Sequence, residues 1–77
     1  EAEHHMTRIT IRGIETKFMA TEYLGDSVYI GQQAGYRGIW LWLDNGNGPY
    51  SEIFLEPDVA TALIRFFERI ITEQAPE

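Results

Sequence analysis

Cysteine is absent from this chain, which excludes disulfides and thiolate zinc sites and removes the usual staples of a small domain. Histidine is almost absent. Its two copies, His4 and His5, end the stretch Glu-Ala-Glu-His-His directly before Met6, which reads as the remnant of an expression tag. With Met6 taken as the natural start, neither thiol nor imidazole remains, so nucleophilic triads lack their usual base. Basic charge is scarce as well: six Lys and Arg stand against twelve Asp and Glu, a net charge of -6, and setting Glu1 and Glu3 aside still leaves -4. A small acidic protein of this kind is not expected to bind nucleic acid nonspecifically, because that needs surplus cations facing phosphates. No apolar run approaches the roughly 18 residues of a membrane span, and no charged-then-apolar leader precedes the domain. The expectation is a cytoplasmic protein that does not engage a membrane.

Enough apolar residues remain to build a fold. Of 77 residues, 44% are hydrophobic and 13% aromatic, the content of a folded chain and not of a disordered acidic one. Residues 1–5 are set apart as the tag and 6–77 as a single domain. A domain this small buries only about 60% of its unfolded surface, so its core is thin and self-association is the remaining route to further burial. A homo-oligomer is expected.

Ile9 and Ile11 alternate with polar neighbours between Thr7 and Arg12, the period of two of a half-buried strand, and Gly13 ends it. Ile14 to Thr21 fits either a returning short strand or an ordered loop, and the strand is the reading adopted. A Gly-Asp turn signal at Gly25-Asp26 precedes Val28-Tyr29-Ile30, residues suited to a strand. Tyr36 to Leu43 is the cleanest strand, with Ile39, Leu41 and Leu43 on one face and Trp40 and Trp42 on the other. Asp44 to Pro49 is dense in residues that tolerate positive φ, which predicts a hairpin return into Tyr50 to Leu55 and places Phe54 near the tryptophans.

Pro57 then suits the first position of a helix, and Asp58 puts negative charge in its first turn. Val59, Ala62, Leu63, Phe66 and Ile70 recur at helical spacing, and Ile64, Phe67 and Ile71 widen the apolar arc beyond what one sheet face can cover. The helix is expected to pack along the Ile39, Leu41, Leu43 face with part of its flank left over. The predicted class is α+β: an antiparallel β-meander of four to five strands with one C-terminal α-helix packed on one face.

Three segments carry a family resemblance. Leu24-Gly25-Asp26-Ser27-Val28-Tyr29, then Gly38-Ile39-Trp40-Leu41 leading to Asn45-Gly46, then Ile53-Phe54-Leu55-Glu56-Pro57-Asp58-Val59 with Ala62-Leu63 resemble short uncharacterised proteins encoded by bacteriophages and prophages. The resemblance spans about Tyr23 to Phe67. Those proteins usually read Gly-Asp-Gly-Val-Tyr-Ala, whereas here Ser27 and Ile30 replace the second glycine and the alanine, and the paired tryptophans depart from the pattern. The resemblance implies phage origin and brings no functional residues with it.

Trp40 and Trp42 are the most distinctive candidates, with Phe54 and Tyr29 beside them. They admit three readings: a protein interface, since Trp and Tyr dominate binding hot spots; a stacking platform for a planar ligand such as a base; or ordinary packing under the N-terminal strands. Arg8 and Arg12, if both lie on the first strand, share a face and could clamp an anion, with Arg37 a third basic candidate; solvated strand charges are the plainer account. Asp44 to Pro49 superficially looks like a calcium loop but lacks oxygen side chains at alternate positions and an acidic twelfth residue, so it reads as a turn. Asp26, Asp44, Glu52 and Glu56 supply carboxylates, but acid–base work by a pair also needs a cleft and separated pKa values. No metal or cofactor is expected. The functional expectation is a non-enzymatic phage accessory protein that binds a host macromolecule, such as a host protein of defence or replication. The alternative is an oligomer that sequesters a small nucleotide, using Trp40 or Trp42 for stacking and an arginine for phosphate.

Overall fold

The computed structural model describes residues 6–74, so the tag-like residues 1–5 lie outside it. Five strands, β1 (Thr7–Ile11), β2 (Ile14–Gly25), β3 (Val28–Gln33), β4 (Ile39–Asp44) and β5 (Pro49–Leu55), are followed by one helix, α1 (Pro57–Gln74). Each strand pairs antiparallel with its chain neighbour in a single sheet of order β1-β2-β3-β4-β5. This is the α+β meander that the alternation and turn signals predict. The segment Ile14 to Thr21 is strand, the first part of a β2 twelve residues long.

Local backbone chemistry sets the tight corners. Arg12 (φ 54°) with Gly13 (φ 81°), and Asp26 (φ 53°) with Ser27 (φ 68°), give two-residue hairpin turns with both central residues left-handed, the geometry that matches strand twist. The first β-strand therefore stops at Ile11, and Arg12 belongs to the turn. In the β4–β5 hairpin, Asp44 Oδ1 accepts hydrogen bonds from the N–H groups of Gly46 (2.8 Å) and Gly48 (3.2 Å), an Asx-type turn that commits this carboxylate to the loop.

Register shifts at Met19 and Leu24 in β2, and opposite Trp42 in β5 where Ser51 has φ 55°, insert residues without partners and increase the local bend. The sheet curls, and β1 approaches β5 without pairing to it. Inside the curl lie the buried residues Ile11, Phe18 and Trp42, with Ile9, Tyr29 and Trp40 packed against them. Phe18 and Trp42 meet at 5.2 Å between ring centroids, and Tyr29 stacks on Trp42 at 6.0 Å with 5° between planes. Thr16, also buried, satisfies its hydroxyl by donating to the Ile14 carbonyl.

The helix departs from its expected place. Its first turn is built as predicted: Ala60 N–H bonds to the Glu56 carbonyl at 2.8 Å, and Asp58 Oδ1 accepts from the Val59 N–H. It does not, however, lie on the Ile39, Leu41, Leu43 face. None of its eighteen residues is buried, and its main contact with the sheet is with β5, the strand it follows. The cause is the connection. Glu56 alone separates β5 from α1, too little chain to turn the helix back across its own sheet. Val59, Leu63, Ile64, Phe66, Phe67 and Ile71 consequently stand about half exposed.

Gly31 is where the core tolerates least. A Cβ built there would sit 2.7 Å from Phe18 Cδ1 and 2.9 Å from the Trp42 ring, so both aromatics rest directly on bare backbone. Gly31→Ala is expected to lower unfolding stability by about 1–3 kcal/mol through overpacking, read as a lower urea midpoint at unchanged slope. An unchanged midpoint would mean that Phe18 and Trp42 do not close over this position.

Candidate functional site

The curl that buries Trp42 leaves Trp40 at an opening. Between the β1–β2 turn and the end of β5 lies a groove of about 380 Å³, lined chiefly by Arg12, Ile14, Gln33, Tyr36, Trp40 and Phe54. Its floor is aromatic. Trp40 pairs across the strands with Phe54 at 5.3 Å, and Tyr36 meets Phe54 edge-on at 6.5 Å and 82°. The indole N–H of Trp40 donates to Gln33 Oε1 at 2.9 Å, which satisfies the one polar atom of that side chain and fixes the ring.

Gly38, where a Cβ would collide with the Phe54 ring and the Leu55 carbonyl, lets the β3–β4 connection close against β5. Tyr36, in that connection, is brought to the groove's rim.

Arg12 forms the opposite wall because its left-handed turn carries it off the strand. Its guanidinium lies 5.5 Å from the centroid of the Trp40 ring, donates to the Glu52 carbonyl at 3.0 Å, and places Nε 3.8 Å from Glu52 Oε1. This one side chain ties the β1–β2 turn to β5. Glu52 keeps only 13% of its side chain exposed, so its charge stands beside the guanidinium in partly desolvated surroundings.

The candidates named from the sequence thus separate. Trp42 is 2% exposed and belongs to the core of its own chain, which excludes it from an exposed aromatic patch or a stacking platform. Tyr29 goes with it, between Trp42 and Tyr23, whose ring lies at 4.9 Å. Trp40 and Phe54 remain accessible as one cluster. Arg8 and Arg12 do not share a face: Arg8 lies on β1 beside Glu15 at 3.6 Å, while Arg12 reaches the groove from the turn, so they form no anion clamp. Arg37 is exposed in the β3–β4 connection. Asp26 is exposed in its turn, Glu56 is exposed at the corner, and Glu52 is paired with Arg12. Sequence reasoning misses Tyr36 and Gln33 as groove residues. Gln33 is legible in principle, because continuing the β3 alternation past Gly31 puts it on the Trp40 side.

No family model, curated protein or solved structure matches the chain. Among the described residues no helix is long and apolar enough to cross a membrane, and no cluster of three metal-ligating side chains occurs.

The two tryptophans are expected to respond differently to solvent. In Trp40→Phe the remaining Trp42 should emit to the blue and resist acrylamide, whereas in Trp42→Phe the remaining Trp40 should be quenched several-fold more readily. Equal quenching would contradict the burial of Trp42 beneath β1 and β2.

Proposed function

We propose that this chain is a non-enzymatic accessory protein of phage origin that acts in the host cytoplasm by binding a host protein, with the groove around Trp40 as its recognition surface. The observation that carries the reading is the company Trp40 keeps. Trp, Tyr and Arg are the residue types that dominate binding hot spots, and here Trp40, Tyr36 and Arg12 share one apolar groove whose walls are already fixed by Gln33 and Glu52. Side chains held in place before binding lose less conformational freedom on association. The net negative charge of the chain favours a partner with a basic surface and speeds encounter with it.

The nucleotide reading has one observation in its favour, a guanidinium beside an indole at a groove large enough for a planar ligand. It has one against it. Arg12 already serves Glu52, and a phosphate arriving there would face that carboxylate.

Affinity capture from bacterial lysate, followed by titration of the purified partner, tests the first reading. Tyr36→Ala and Trp40→Ala are each expected to weaken binding at least tenfold, while Arg37→Ala leaves it unchanged. Retention of full affinity by both groove variants would remove the groove from the recognition surface. A nucleotide panel separates the alternative: ligand at 100 times its Kd adds about 2.7 kcal/mol to stability, a rise on the order of 10 °C in Tm for a domain of this size. Flat melting curves are expected.

A further inference from the structure

Two apolar surfaces of this chain are left uncovered. The first is α1. Val59, Leu63, Phe66 and Ile70 form one stripe and Ala60, Ile64, Phe67 and Ile71 a second beside it, together an arc of about 160° at 3.6 residues per turn. The second is the outer face of the sheet, opposite Trp40 and Trp42. Register places Val28, Ile30 and Gln32 of β3, Ile39, Leu41 and Leu43 of β4, and Tyr50, Ile53 and Leu55 of β5 on it, an uncharged area bordered by Arg8 of β1 and Glu15, Lys17 and Glu22 of β2. None of the described residues covers this face: Ile53 is 51% exposed, and no residue of the face is buried.

The geometry points to a second copy of this chain as the occupant of both surfaces, the helix of each protomer lying across the outer sheet face of the other in a two-fold dimer. Three observations select that occupant. The one-residue corner at Glu56 prevents the helix from reaching its own sheet. Each chain offers one convex apolar helix and one apolar face, so a reciprocal exchange satisfies both at once, as a closed two-fold interface requires. The helix is about 27 Å long at 1.5 Å per residue, enough to cross the three strands β3 to β5 spaced about 4.8 Å apart.

The exposure agrees. Val59, Leu63, Ile64, Phe66, Phe67 and Ile71 stand 49–58% exposed on one arc of the helix, a contiguous apolar patch of the kind that marks a protein–protein contact. Isolated helices gain most of their stability from packing, and α1 has no buried residue within its own chain to supply it. The inference is independent of the groove, which opens on the other side of the sheet and stays free in such a dimer.

The absence of cysteine makes the test clean. Sedimentation equilibrium at tens of micromolar is expected to give the dimer mass. Single-cysteine variants Ile53→Cys on the sheet and a scan of Val59→Cys, Leu63→Cys, Phe66→Cys and Ile70→Cys on the helix are mixed pairwise and oxidised. At least one mixed sheet–helix pair should form a disulfide-linked dimer, whereas Tyr36→Cys in the groove should link to none of them. Ile53→Lys should shift the mass toward monomer and reduce helical circular dichroism together, while Trp40→Ala leaves the mass unchanged. A monomeric wild-type mass, a larger assembly, or disulfides confined to helix–helix pairs overturns the exchange. None of these results bears on capture of a partner by the groove, so the two readings fail separately.

Discussion

The contact on which this molecule depends is the closure of Phe18 and Trp42 over the bare backbone of Gly31. Among the described residues three apolar side chains are buried, so the core consists of little more than that contact, Ile11 beside it and the Tyr29 ring stacked beyond. Large rings on one side of a sheet, met by a glycine on the neighbouring strand, pull the strands toward each other. The unpartnered residues Met19 and Leu24 on β2, and Ser51 at the bend in β5, supply the extra chain length on the outer side of the bend. Curling is how a single thin sheet makes an inside. It is also what brings the β1–β2 turn to β5 and opens the groove at Trp40.

The two sheet faces then take different roles. The inner face is consumed by packing except at its mouth, where Arg12, Tyr36, Trp40 and Phe54 remain accessible and are held by Gln33 and Glu52. The outer face is apolar across β3 to β5, and the helix that would ordinarily cover it is directed elsewhere by a connection one residue long. A partly desolvated Arg12–Glu52 pair contributes more to fixing the groove's wall than to overall stability, since exposed or half-exposed ion pairs are worth about 0–1 kcal/mol.

Much of this fold was legible in the sequence. The split of β4 into Ile39, Leu41, Leu43 against Trp40, Trp42 is strict alternation, and Asn45 to Gly48 and Pro57 punctuate the chain where the hairpin and the helix occur. The full length of β2 was not legible, because bulged residues at Met19 and Leu24 break the period of two that identifies a strand. Arg12 looks like a strand residue because its neighbours alternate up to it; only the positive φ values at Arg12 and Gly13 place it in a turn. The apolar arc of α1 is wider than one sheet face can cover, but periodicity carries no information on which surface a helix meets. That depends on the single residue Glu56. For the candidate site, Trp40 and Phe54 follow from composition and pairing and Gln33 from continuing the β3 alternation, while Arg12 and Tyr36 reach the groove only through the left-handed turn and the curl.

The sequential order of the sheet also governs how the chain is assembled. Each strand pairs with the one just before or after it, so every ladder can zip from a short turn, and none requires a distant segment to be found first. Loop-closure entropy is small at each step, which is the condition for rapid folding among β-rich domains. Joining the β1–β2 turn to β5 through Arg12 and Glu52, forty residues apart, is a step of another kind: it spans nearly the whole sheet and has its docking geometry only after the curl exists. The groove therefore rests on the one tie in its walls that is not local in sequence.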